Sequence, residues 1–207
     1  MQGLPKFDTT EAQYSITKPA QAKAIVDLLR PYVERRVGKP MDQCVLTDGT
    51  ACVGGDALSF SRHFGHVHAV EANPTHAAML THNLTTVYGR TNVTVHEGDY
   101  TKLAHRLEQD VIFLDPPWGG RAYKGNRQTP LFLSNVPVAH LVAKRLRGRA
   151  KVVVLKVPTN YAFGTLFQVP GFAKARRHPL FGTAHVHHLG NMALVVLEMD
   201  GKAGKAG

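Results

Sequence analysis

The chain has 207 residues, 43% hydrophobic and 19% charged, which fits a single folded domain with a sizeable core. No stretch approaches the roughly 20 apolar residues of a membrane span, and residues 1–10 lack the apolar core of a signal peptide; the expected location is intracellular, cytoplasmic or nuclear. The net charge of +10 is uneven: residues 1–115 carry 11 basic and 13 acidic side chains, whereas residues 116–207 carry 14 basic ones against Glu198 and Asp200 alone, a distribution that favours encounter with a polyanion such as RNA.

Along the chain, residues 1–40 read as an N-terminal helical segment, 41–200 as the main domain and 201–207, all Gly, Ala and Lys, as a flexible tail. A helix is expected at 20–37, with Thr17 as its cap, Pro19 near its first turn and Pro31 kinking or ending it. A short strand at 44–47 ends at Asp48, a helix follows at 56–64, and a strand at 66–70 ends at Glu71. Asn73 reads as an N-cap with Pro74 at the first helical position, opening a helix to about residue 88. A strand at 93–96 runs into Gly98-Asp99, and a short helix is expected at 103–107. The apolar strand at 111–114 ends at Asp115. A helix at 138–146 and strands at 151–157 and 193–199 complete the alternation, which implies an α/β fold: a parallel sheet with helices on both faces.

Ligands of such sheets bind beyond the carboxyl ends of the strands, and Asp48, Glu71, Asp99 and Asp115 all fall there. The turn Asp48-Gly49-Thr50-Ala51-Cys52-Val53-Gly54-Gly55 lets a ligand approach the backbone at Gly54 and Gly55. Glu71 can accept hydrogen bonds from two ribose hydroxyls. The turn is not Gly-x-Gly-x-x-Gly, so the pyrophosphate fingerprint is incomplete. Four carboxylates along one edge repel a pyrophosphate and suit a ligand with an amine, ribose hydroxyls and an adenine amino group. S-adenosylmethionine fits, with Asp48, Thr50, Gly54, Gly55, Glu71, Asp99 and Asp115 as candidate contacts.

Asp115-Pro116-Pro117-Trp118-Gly119-Gly120 is the candidate catalytic stretch. The prolines fix the backbone and remove donors while their carbonyls remain acceptors. Asp115 and the Pro116 carbonyl can take both hydrogens of a base amino group, and Trp118 offers a face on which the base stacks, worth about 1–3 kcal/mol. Positioning of nitrogen and methyl in line then supplies most of the rate.

These motifs together resemble the trimethylguanosine synthase family of RNA cap guanine 2-amino methyltransferases, from about residue 14 to 118 and more weakly to 160. The resemblance implies a Rossmann-like class I methyltransferase fold with a mostly parallel seven-stranded sheet. It further implies S-adenosylmethionine as cofactor, a capped RNA as partner, and methylation of the 2-amino group of 7-methylguanosine. Trp118 would then stack on a cationic base. Tyr14-Ser15-Ile16-Thr17 matches a segment that packs on the cofactor, which marks Thr17 as a contact, and Lys156-Val157-Pro158-Thr159-Asn160 matches the loop after the fifth strand, with Asn160 as the polar residue facing substrate. The sequence departs from the family at Cys52, usually glycine, at Asp115, serine in some cap enzymes, and at Thr159, usually arginine. Arg121, Lys124 and Arg127 follow the motif directly and are candidate phosphate contacts instead. A methyltransferase acting on an adenine 6-amino or guanine 2-amino group of rRNA, tRNA or DNA remains an alternative, as does an inactive RNA-binding subunit of the same fold.

Other features read as structural or open. Cys44 and Cys52 form no disulfide framework or zinc signature. His185, His187 and His188 lack a nearby carboxylate or cysteine in sequence, so no metal is expected. The basic run Lys144, Arg145, Arg147, Arg149 and Lys151 suits either RNA contact or the end of a helix.

Overall fold

The structure is a computed structural model that describes residues 4–6, 17–167, 177–178 and 182–200. Helix α1 spans Pro19–Val37 and stops at Gly38, whose left-handed φ of 82° lets its N–H reach the Glu34 carbonyl. Strand β1 is Val45–Asp48, helix α2 Gly55–Phe60, strand β2 His66–Glu71 and helix α3 Pro74–Thr81, which continues as a π-helical turn over His82–Val87. Then come β3 (Val93–Glu97), α4 (Tyr100–Leu103), β4 (Val111–Leu114), a 3-10 turn at Gly120–Gly125 and a small hairpin of β5 (Phe132–Leu133) and β6 (Val136–Pro137). Helix α5 (Val138–His140) passes into a π-helical stretch at Leu141–Arg145, followed by β7 (Val152–Pro158), α6 (Phe163–Phe167), β8 (Arg177–His178), β9 (Gly182–Leu189) and β10 (Met192–Glu198).

The main sheet has the order β3-β2-β1-β4-β7-β10-β9-β8. Pairing is parallel from β3 to β7 and antiparallel from β7 to β8. It is the expected mostly parallel sheet of seven strands, with a two-residue eighth strand at its edge. Strand alternation divides the core between two faces. Val111 and Phe113 of β4 join Val152 and Val154 of β7 under Ile25, Val26, Leu29 and Val33 of α1. Ile112 and Leu114 join Val153, Leu155 and Val157 under Tyr100, Val138, Leu141 and Val142. All residues of β4 and β7 are buried, which explains their apolar runs, interrupted in β7 by Lys156 alone.

Three local expectations change. Thr17 is not the cap of α1; Lys18 holds that position and makes no side-chain cap bond. Pro31 does not end α1, because Pro31 and Asp27, whose carbonyl loses its helical partner, are both exposed. The short helix expected at 103–107 lies earlier, since the Asp99 side chain accepts the Thr101 N–H and starts α4 at Tyr100. Asn73, by contrast, caps α3 as read, accepting from the Thr75 and His76 amides at 2.9 and 3.3 Å. The tail at 201–207 and Tyr14, Ser15 and Ile16 lie outside the described residues.

Candidate active site

The parallel strands deliver Asp48, Glu71 and Asp115 to one edge of the sheet, with Asp99 after β3 beside them. Asp48 ends β1 and is buried, its Oδ1 accepting the Thr50 N–H at 3.1 Å. Burial raises the Asp48 carboxyl well above the usual carboxylate range, and the nearby Asp56 and Asp115 carboxylates reinforce that, with Thr50 N–H pulling the other way. The Thr50 hydroxyl accepts the Asp115 N–H at 2.7 Å. That bond ties the first loop to the Asp-Pro-Pro-Trp loop.

At the second strand, Glu71 Oε2 accepts the Cys52 N–H at 2.9 Å and Oε1 accepts the Asn73 N–H at 2.8 Å. Each carboxylate oxygen keeps acceptor capacity beyond one bond. Cys52 adopts a φ of 48°, the left-handed region that glycine enters without a Cβ penalty. Gly54 has a φ of 104° and precedes α2. Asp99 takes the Thr101 N–H and hydroxyl on one oxygen, at 2.8 and 2.7 Å. Burial opposes its ionisation, but Thr101 and Ser134, which reaches it from the β5–β6 turn, together hold its carboxyl below the usual range.

Two residues that sequence reading did not single out complete the edge: Lys156 and Asp56. Lys156 sits on β7 on the same face as Val152 and Val154, which is the face covered by α1 and α2. There its ammonium donates to Asp115 Oδ2 at 2.6 Å, to Thr17 Oγ1 at 2.6 Å and to Asp56 Oδ2 at 3.4 Å. Thr17 in turn donates to Asp56 Oδ2 at 2.5 Å. Burial works against the charge on Lys156, and the Asp115 and Asp56 carboxylates outweigh it and raise its pKa. Burial pushes the Asp115 carboxyl up to about 6, against the pull of Lys156 and with a push from Asp56. The readable signal for Lys156 was a lone lysine in the apolar run Val152-Val153-Val154-Leu155-Lys156-Val157, since a buried ammonium needs a partner. Asp56 read only as the first residue of an expected helix, and Ser134 had no signal at all.

Pro116 is buried and Trp118 half-buried. The Trp118 ring packs on the cores of both sheet faces, and Tyr123 stands edge-on to it at 5.3 Å between centroids. Its indole N–H lies near enough to the Asp115 carboxyl to lower its pKa, yet it completes no hydrogen bond. Asn160 does not project freely. Its side-chain amide donates to the Tyr123 and Asn126 carbonyls at 2.8 and 2.9 Å, clamping the 3-10 turn, while its Oδ1 is buried without a partner. Lys124 and Arg127 are exposed on that loop, and Arg121 belongs to the same turn.

The basic run lies elsewhere. Lys151 precedes β7, and its amide donates to the Asp110 carbonyl ahead of β4, so the run sits at the opposite edge of the sheet from Asp115. The seven residues of β7 separate the two edges by about 20 Å. The histidines are also engaged apart from the site: His185 pairs with Glu198 at 2.8 Å, and His187 shares a 2.8 Å hydrogen bond with the Tyr32 hydroxyl of α1. Among the described residues no group of three or more His, Cys, Asp or Glu is arranged to hold a metal, and no helix is long and apolar enough to cross a membrane.

The architecture is that of the methyltransferases. An rRNA methylase of Streptococcus thermophilus superimposes with a TM-score of 0.54 at 15% identity, covering 89% of this chain and 98% of its own. Human methyltransferase 10 domain containing protein does so with a TM-score of 0.59 at 12% identity, covering 89% of this chain and 84% of its own. Within that class the chain belongs to the RNA cap guanine-N2 methyltransferase family, which matches residues 43–178. An uncharacterized protein of Acanthamoeba polyphaga mimivirus is 35% identical over 131 residues, 61% of this chain and 51% of the relative. The chain thus spans about half the length of that relative. The trimethylguanosine synthase of Schizosaccharomyces pombe is 26% identical over 190 residues, 80% of this chain and 74% of the relative. Family and fold imply use of S-adenosylmethionine.

Proposed function

We propose that this protein transfers a methyl group from S-adenosylmethionine to the 2-amino group of 7-methylguanosine at an RNA 5′ cap. The observation that carries the reading is the meeting of the Asp115-Pro116-Pro117-Trp118 loop with the acid-lined strand edge, joined through Thr50 and Lys156.

The donor set fits the cofactor. Asp56 and Asp115 outnumber Lys156, so the pocket carries excess negative charge toward a sulfonium, and Asp56 Oδ1 is buried without a partner. Glu71 keeps acceptor capacity for ribose hydroxyls. Asp99, with Ser134 beside it, suits an adenine amino group. Thr17, Asp48, Thr50, Gly54 and Gly55 frame the amino-acid end. When bound, the cofactor supplies an electrophilic methyl group and leaves as a neutral thioether.

The chain's own residues then have defined tasks. Asp115 and the Pro116 carbonyl accept the hydrogens of the amine and turn its lone pair toward the methyl. As positive charge develops on nitrogen, the Asp115 carboxylate stabilises it and stands where the departing proton is released. Trp118 holds the base, whose cationic ring adds a cation–π attraction to the stack. Asn160 keeps the 3-10 turn in place, and Lys124 and Arg127, exposed on the loop, together with Arg121 of the same turn would meet the cap phosphates.

Incubation with methyl-labelled S-adenosylmethionine and a 7-methylguanosine cap analogue, beside uncapped RNA, tests the reading. Label in a 2-amino-methylated cap nucleoside supports it. Label only in uncapped RNA replaces it with internal-base methylation, and absence of transfer to both rejects an active enzyme on these substrates.

A further inference from the structure

The cation at the centre of the site competes with the substrate it is meant to serve. Lys156 is the one buried lysine or arginine among the described residues, and its ammonium takes Asp115 Oδ2 at 2.6 Å. A substrate amine needs that same carboxylate as acceptor. Lys156 must therefore share Asp115 or leave it, and a buried ammonium leaves one anion only for another.

Resting on the reading that the chain uses S-adenosylmethionine, we propose that Lys156 has two positions: on Asp115 in the unliganded protein, and on the α-carboxylate of the cofactor when it is bound. The geometry supports the exchange. Nζ already contacts Thr17, which is hydrogen-bonded to Asp56, the residue that follows Gly54 and Gly55. Thr17, Gly54 and Gly55 frame the cofactor's amino-acid end. The charged groups in contact with Thr17 are Asp56, which repels a carboxylate, and Lys156, which attracts one. The long flexible stem of lysine permits a short swing between anions. Thr17 and Asp56 hold Lys156 in both positions. Cofactor binding thus unmasks Asp115, so the substrate amine is accepted after the cofactor is in place.

The test compares S-adenosylhomocysteine with 5′-methylthioadenosine, the same thioether nucleoside without the amino-acid end, by calorimetry. Lys156→Met is expected to weaken S-adenosylhomocysteine about tenfold while changing 5′-methylthioadenosine less than about twofold, and Lys156→Arg to restore part of the loss. Equal weakening of both ligands overturns the proposal. A second measurement needs no variant: the unaltered protein binds the cap analogue about tenfold more tightly with saturating S-adenosylhomocysteine than with saturating 5′-methylthioadenosine. Equal cap affinity with the two overturns the exchange even if the Met variant does not fold. Failure of the unaltered protein to bind either thioether defeats the cofactor reading itself, a different result from either of these.

Discussion

Asp115 is asked to be an anion in a place that disfavours anions. Its folded pKa of about 6 stands above the ordinary 3.8 because burial outweighs the help from Lys156. The protonated carboxyl is retained in the fold up to about pH 6. The stability drawn from this group is therefore greatest at low pH and declines as pH rises from about 4 to 6. Activity has the opposite sign, since only the ionised carboxylate stabilises the charge that develops on the amine nitrogen. We expect kcat/KM to fall about tenfold per pH unit below about 6. Asp115→Asn keeps one acceptor and flattens that limb, whereas Asp115→Ala lowers kcat about 100-fold at neutral pH. An acid limb that persists in the Asn variant assigns the titration to another group. Cys52 presents a simpler case. Its φ of 48° costs an ordinary residue about 1–2 kcal/mol, so Cys52→Gly is expected to raise the unfolding free energy by about 1 kcal/mol in denaturant titration. A loss of stability shows instead that the thiol's packing outweighs the backbone gain.

Elements reach the site through their ends, and one side chain joins two of them. Asn160, just past β7, donates two hydrogen bonds to the 3-10 turn after the Trp118 motif. Each such bond is worth about 1 kcal/mol. Asn160→Ala is expected to weaken binding of the cap analogue about tenfold and leave S-adenosylhomocysteine affinity within about twofold. Equal loss of both ligands places Asn160 in the cofactor pocket instead. Its sequence reading put it in the loop after the fifth parallel strand, where the structure has it, but did not show its partners, which lie 34–37 positions away. The strands were legible for a physical reason: parallel strands buried on both faces need apolar runs, and each of the first four ended in a visible acid or Gly-Asp. Strand β9 was not legible, because His185, His187 and His188 mask its alternation. Helix α4 was displaced because the Asp99 cap was read as a ligand contact alone. Lys156 carried a signal the sequence reading passed over, a lysine in an apolar run, and only the fold shows that the residues ahead of α1 and in α2 bring Thr17 and Asp56 to it.

The basic side chains considered for RNA contact fall, among the described residues, in two places that cannot act on one nucleotide. Lys124 and Arg127 stand on the loop after Trp118, beside the site. Arg145, Arg147 and Lys151 stand at the opposite edge, about 20 Å away along β7. That distance exceeds the Debye length of about 8 Å at physiological salt, so the far group cannot assist a cap analogue through its field. An extended RNA can reach both. Replacing Lys124 and Arg127 with Gln should therefore weaken cap analogue and long capped RNA alike, and reduce the slope of log K against log salt by about one for each phosphate that is no longer neutralised. Replacing Arg145, Arg147 and Lys151 should spare the analogue and weaken only RNA long enough to pass the far edge. If the far substitutions weaken the analogue, the charge acts through the fold rather than by touching RNA. If they leave long RNA unchanged as well, the run serves the end of its helix, where cations oppose the negative end of the dipole, and the RNA path stays on the Trp118 side.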